Sequence, residues 1–164
     1  MERFTRREAM ILTRTSASRL AYLAKTGIVI PYRLEQGSRS QVFYSWGQIL
    51  ELRTINHLRR QTSLQTIRKI LAFLAAHGDD PWLHNKHLII TEGEVTWVRH
   101  EGPNTQGQEI VRVAGRTNRH VGQLQLLTLP KMAEIVADLW ETARHSQVID
   151  FEHFKQRARS RQEE

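Results

Sequence analysis

Thr13-Arg14-Thr15-Ser16-Ala17-Ser18-Arg19-Leu20-Ala21-Tyr22-Leu23 and, a few residues on, Gly27-Ile28-Val29-Ile30-Pro31 form the stretch whose reading decides the fold. Ser16 suits a helix N-cap, because its hydroxyl can accept a free backbone N–H of the first turn. A helix of about Ser16 to Lys25 follows, with Leu20 and Leu23 as inward anchors, and Gly27 supplies the left-handed backbone that ends it. Upstream, Thr5-Arg6-Arg7-Glu8 reads as a capping box that opens a first helix. Downstream, Ile28–Arg33 and Gln41–Tyr44 are β-prone runs separated by the polar, basic segment Leu34–Ser40, which predicts a hairpin. Two further capping boxes, Ser45-Trp46-Gly47-Gln48 and Thr62-Ser63-Leu64-Gln65, precede apolar stripes at helical spacing. These are Ile49, Leu52, Ile55 and Leu58, then Leu64, Ile67, Ile70, Leu71 and Leu74. The order helix, helix, hairpin, helix, helix is that of a winged helix-turn-helix with an extra helix behind it.

The segment Ala75-Ala76-His77-Gly78-Asp79-Asp80-Pro81 closes the fourth helix, since Gly78 suits a C-terminal left-handed residue and Pro81 resists resumption. It predicts two domains, 1–78 and 79–164. In the second, His87–Thr91 and Glu94–Val98 flank Glu92-Gly93, a tight hairpin. Glu109–Val113 and Gln123–Leu127 read as further strands. Pro130 then opens a helix whose Met132, Ile135, Val136, Leu139 and Trp140 share one face. Residues 146–164 form a short helix or frayed tail around Phe151 and Phe154. The predicted class is α+β: a winged helix-turn-helix followed by a small α+β domain.

Composition narrows the function. The chain has 164 residues and no cysteine, which excludes a disulfide framework, thiolate metal sites and cysteine nucleophiles. No apolar run approaches the roughly 18 residues of a membrane span, and the first residues lack the apolar centre of a signal peptide. A cytoplasmic, nucleoid-associated location is expected. Residues 1–76 hold 13 Lys+Arg and 4 Asp+Glu, whereas residues 77–164 hold 11 and 13. This places the net charge of +7 in the first half and favours a polyanion-binding module there over a merely solubilising surface.

Read together, Thr13–Leu23, Gly27–Pro31, Tyr44-Ser45, Leu52-Arg53-Thr54-Ile55, Leu58-Arg59 and Ser63–Ile67 resemble the MerR-type DNA-binding domain over about residues 4–74. The resemblance implies a second helix laid in the major groove of duplex DNA. The chain departs from that family where Arg14 replaces the usual Gly after the first helix, where Ala21-Tyr22-Leu23 replaces an Arg-Tyr-Tyr cluster, and where Val42 replaces the wing Arg before Tyr-Ser. The absence of cysteine rejects the family's metal-sensing mode. Gly78–Pro81 argues against the long dimerisation helix that most members carry. The second half is faintly similar to short MerR-like proteins of the antitoxin kind.

In a winged helix-turn-helix the second helix reads base edges while the wing straddles the backbone. Ser16, Ser18, Arg19 and Tyr22 are therefore the candidate readers. Arg19 suits bidentate pairing with guanine or a phosphate contact, with a solvated surface Arg as the alternative. Ser16 caps the helix and leaves amides for a phosphate. Arg33, Ser38 and Arg39 lie on the wing, and Arg6, Arg7 and Arg14 cluster at the first helix and its turn. Tyr32, Tyr44 and Trp46 read as packing residues rather than base-stacking platforms, and Trp82, Trp97 and Trp140 as core or interface anchors. Ile135, Leu139 and Trp140 are the candidate dimer or partner interface, in a homodimer matched to a two-fold operator.

The histidines, His84 and His87 included, show no ligand spacing, so no metal or other cofactor is expected. No nucleophile elbow, phosphate loop or paired-carboxylate pattern appears, and an enzyme is the least favoured reading. The leading expectation is a sequence-specific regulator that binds double-stranded DNA. The alternative is an antitoxin-type protein whose C-terminal half neutralises a toxin and which regulates itself through DNA.

Overall fold

The computed structural model describes residues 3–36, 39–76, 80, 82–91, 94–100, 108–114, 127–128 and 132–159. Its architecture is mixed α and β, in two compact units. The first joins the two ends of the chain, residues 1–56 and 133–164; the second is the intervening 57–132. The expected division at 78/79 is thus not where the chain separates, because the C-terminal helices fold with the N-terminal ones.

In the first unit, β1 (Phe4–Thr5) leads into α1 (Arg6–Thr13) and α2 (Ala17–Lys25). Thr5 and Glu8 form the expected capping box at α1: the Glu8 N–H donates to the Thr5 hydroxyl and the Thr5 N–H to the Glu8 carboxylate. Ser16 caps α2 by accepting from the Arg19 N–H at 3.3 Å. Gly27, at φ +74°, ends α2, and the Ile28 N–H returns to the Leu23 carbonyl. Ile28 and Val29 therefore belong to the helix's C-terminal cap, and the strand expected from Ile28 starts instead at Tyr32. β2 (Tyr32–Gln36) and β3 (Arg39–Tyr44) pair antiparallel with Tyr32 opposite Phe43, and β1 adds to the far side in the order β1-β3-β2.

Ser45 and Gln48 make the second capping box, which opens α3 (Trp46–Leu58). Gln48 also donates to the Ile30 carbonyl at 2.6 Å, tying the approach to the hairpin to this helix. Gln48 to Ile55 are all buried, so α3 is enclosed on every side rather than along the expected stripe alone. Its polar members have partners: Arg53 and Asn56 donate to the Leu12 and Thr13 carbonyls, which the end of α1 leaves without helical donors.

α5 (Met132–Arg144) and α6 (Phe151–Arg159, capped by Asp150) complete this unit. Phe154 is fully buried, with ring centroids 6.1 Å from Phe4, 5.8 Å from Trp46 and 5.4 Å from Trp140. Arg157 lies over the Phe4 ring at 4.4 Å, grips both Glu8 oxygens at 2.6 and 3.3 Å and donates to the Arg3 carbonyl at 2.9 Å. Of the two expectations for residues 146–164, a short helix or a frayed tail, the helix is present, and its Phe154, Arg157 and Ala158 are core.

In the second unit, α4 (Leu64–Ala76) begins one residue later than expected. Ser63, not Thr62, caps it by accepting from the Thr66 N–H at 3.0 Å. Ile67, Ile70 and Leu74 are its buried face. A 3-10 turn at Leu83–Asn85 leads to β4 (His87–Thr91), β5 (Glu94–His100), β6 (Gln108–Ala114) and β7 (Leu127–Thr128), paired antiparallel in the order β6-β5-β4-β7. Thr91 pairs with Glu94, so the expected hairpin is of the two-residue kind, although Glu92-Gly93 themselves lie outside the described residues. Buried Leu88 and Trp97 are cross-strand partners. Gly78, Pro81, Pro130 and 123–126 also lie outside the described residues. Among the described residues no helix is long and apolar enough to cross a membrane.

Candidate nucleic-acid interface

The candidate surface is the α1–α2 turn, the outer side of α2 and the β2–β3 hairpin, all in the first unit. α2 buries Leu20 and Leu23, and this turns Ser18 and Tyr22 to solvent, Tyr22 being 42% exposed. Arg19 is half-buried. The Ser16 and Ser18 hydroxyls lie 3.1 Å apart at the start of the helix.

Of the flanking cations, Arg7 and Arg33 are exposed. Arg6 is exposed too, but its guanidinium donates to the Ala17 carbonyl at 3.1 Å, which ties the start of α1 to the start of α2. Arg39 opens β3 opposite Gln36, and Ser38 lies outside the described residues. The aromatic residues divide. Tyr44 is buried, Trp46 joins the Phe4–Phe154 cluster, and Tyr32, expected to pack inward, is 43% exposed with the Arg3 guanidinium 5.7 Å from its ring centroid.

Arg14 occupies the turn between the two helices with φ 51° and ψ 38°, the left-handed conformation that glycine adopts most readily. Its guanidinium lies 3.7 Å from Asp138 of α5, and the same carboxylate accepts from Arg53. Beside this turn a cleft of about 420 Å³ opens between Ile11 and Arg14 on one side and Asp138, Glu141, Thr142 and His145 on the other.

The residues expected to meet a partner are placed differently. Ile135 and Leu139 are buried, and Trp140 packs on Phe151 and Phe154 of the same unit. That helix face is already covered, which removes it as an interface. Its apolar period was legible, but a core face and an interface share that period. The sequence reading also missed Asp138, Arg53 and Arg157, charged residues whose partners lie 85 to 149 positions away.

Burial pushes the Glu8 carboxyl upward, yet the hydrogen bonds from Arg157 and Thr5 outweigh it and hold the group below its ordinary value. Burial raises the Tyr44 phenol, only partly opposed by Arg6. Among the described residues no group of His, Asp and Glu is placed to hold a metal ion. Compared with known proteins, the chain matches no family model and no curated sequence.

Structural units also redistribute the charge. The first unit holds 14 Lys+Arg against 11 Asp+Glu and the second holds 10 against 6. The basic character is therefore not the property of one unit. Within the first unit it is concentrated in Arg3 through Arg39, which contain eight of the cations and two of the acids, Glu8 and Glu35. Glu8 is neutralised internally by Arg157.

Proposed function

We propose that the first unit is a winged helix-turn-helix that binds duplex DNA, with α2 in the major groove and the β2–β3 hairpin as the wing on the backbone, and that the protein is a sequence-specific transcriptional regulator. The observation that carries this reading is a Ser-capped α2 that turns Ser18 and Tyr22 to solvent, in one small unit with an antiparallel hairpin and with exposed Arg6, Arg7, Arg14, Lys25 and Arg33 on α1, the α1–α2 turn, α2 and β2. A helix and a basic ribbon presented together fit the groove and the flanking phosphates of a duplex. The MerR-like resemblance of the same residues points the same way. Dimerisation through Ile135, Leu139 and Trp140 forms no part of the proposal, because these residues serve the unit's own core.

Selection of bound sites from random duplexes, run with the wild type and with Arg19→Ala, tests the reading. The wild type is expected to enrich one motif and Arg19→Ala to relax it at one position, a guanine contact being worth about 1–3 kcal/mol. With about six phosphates neutralised per protomer, log affinity should fall with log salt at a slope near −5. No enriched motif together with a slope near zero refutes the proposal.

A further inference from the structure

We propose that Asp138 is an internal stand-in for a DNA phosphate: it holds Arg14 at the α1–α2 turn until the backbone of a duplex takes its place. The inference rests on the reading of the first unit as a duplex binder. A left-handed turn position favours glycine, and any side chain there needs a compensating use. The Arg14 side chain has one, an ion pair with a carboxylate brought from 124 positions away.

The pair is built to open. Its N···O distance is 3.7 Å, and the two side chains are 57% and 44% exposed, so it is a loose, solvated contact of little strength. Release of Arg14 does not orphan Asp138, because Arg53, itself only 9% exposed, stays bound to the same carboxylate. Arg53 also donates to the Leu12 carbonyl, so the anchor of the turn is kept while its outer cation is exchanged. The other titratable groups lining the cleft are Glu141 and His145, and among the described residues Arg14 pairs with Asp138 rather than with Glu141. A phosphate approaching the turn next to Ser16 therefore competes with one carboxylate for one guanidinium. Asp138 thus tunes affinity without touching DNA.

The test compares full-length wild type, D138N, R14Q and the double variant in salt titrations against a duplex from the selection. Asparagine keeps an acceptor for Arg53 while removing the competing charge. D138N is expected to tighten binding by up to about five-fold at an unchanged salt slope. R14Q is expected to lower the slope magnitude by about 0.9, and in its background the gain from D138N should shrink towards unity. A gain from D138N that persists undiminished in the R14Q background, or no gain at all, overturns the proposal. An unchanged slope in R14Q overturns it as well, and that measurement leaves Asp138 and its support of Arg53 intact. Failure of the DNA-binding reading itself looks different: the wild type then shows no salt-dependent duplex binding.

Discussion

Phe154→Ala gives the sharpest test of how the first unit is held together. The Phe154 side chain is fully buried and meets the rings of Phe4, Trp46, Trp140 and Phe151 at 5.4 to 6.2 Å. Truncating a buried aromatic in such a setting costs about 4 kcal/mol, the lost transfer energy plus the cavity left behind. That is a factor of roughly 10³ in the opening equilibrium. Because Phe4 lies in β1, which leads directly into α1, and Trp46 opens α3, the loss should reach helices 96 to 148 positions earlier in sequence. The assay is native-state hydrogen exchange followed by mass spectrometry on peptides covering Ala9–Leu23, with urea unfolding as the global control. Protection of those peptides is expected to fall by about three orders of magnitude. If α1 and α2 keep wild-type protection while α6 alone frays, residues 1–78 form a self-sufficient domain and the reasoning from the shared aromatic core is refuted.

Three further expectations concern smaller features. Gly27→Ala should lower stability by about 1 kcal/mol in urea melts through backbone strain alone, since φ is +74° and nothing lies within 4 Å of the added Cβ. Glu8→Gln preserves the capping box chemistry but strands Arg157 in a buried site, for a loss of about 3 kcal/mol. Adding Arg157→Met should recover much of that loss, and a double-mutant cycle reads the difference. The same carboxylate makes stability depend on pH with a definite sign. Its folded pKa is depressed, so its contribution is complete above the unfolded value of about 4.3 and disappears as pH falls through the folded one. Melts of the wild type should lose this increment below about pH 4, and Glu8→Gln should lack it over the same window.

Local chemistry was the legible part of this chain. Ser16, Gly27 and the Thr5–Glu8 and Ser45–Gln48 boxes act through atoms three to five residues away, so spacing suffices to find them. At α4 two hydroxyl residues compete for the cap, and Ser63 wins over Thr62 because the Thr66 N–H falls to it. The C-terminal helices were legible as helices but not in their allegiance. Ile135, Leu139, Phe154 and Arg157 display the same period whether they meet a partner or their own N-terminus. Buried Arg53 is harder still, because its charge at a core position is met by Leu12 and Asp138, 41 and 85 positions away. Of the candidate site, the exposure of Ser18, Tyr22 and Arg33 was readable, whereas the engagement of Arg6 with Ala17 and of Arg14 with Asp138 was not.

The assembly of the first unit from both ends of the chain has a consequence for biosynthesis. Phe4 and Trp46, the latter at the start of α3, are synthesised 150 and 108 residues before Phe154 exists to cover them. At ordinary elongation rates that interval is about 5–30 s, long enough for residues 57–132 to emerge and fold first. During that time Phe4 and Trp46 face solvent or whatever chaperone is at hand. A synthesis halted near residue 132 would leave residues 57–132 tethered to an unfinished N-terminal body, a form to be expected as substrate for proteolysis.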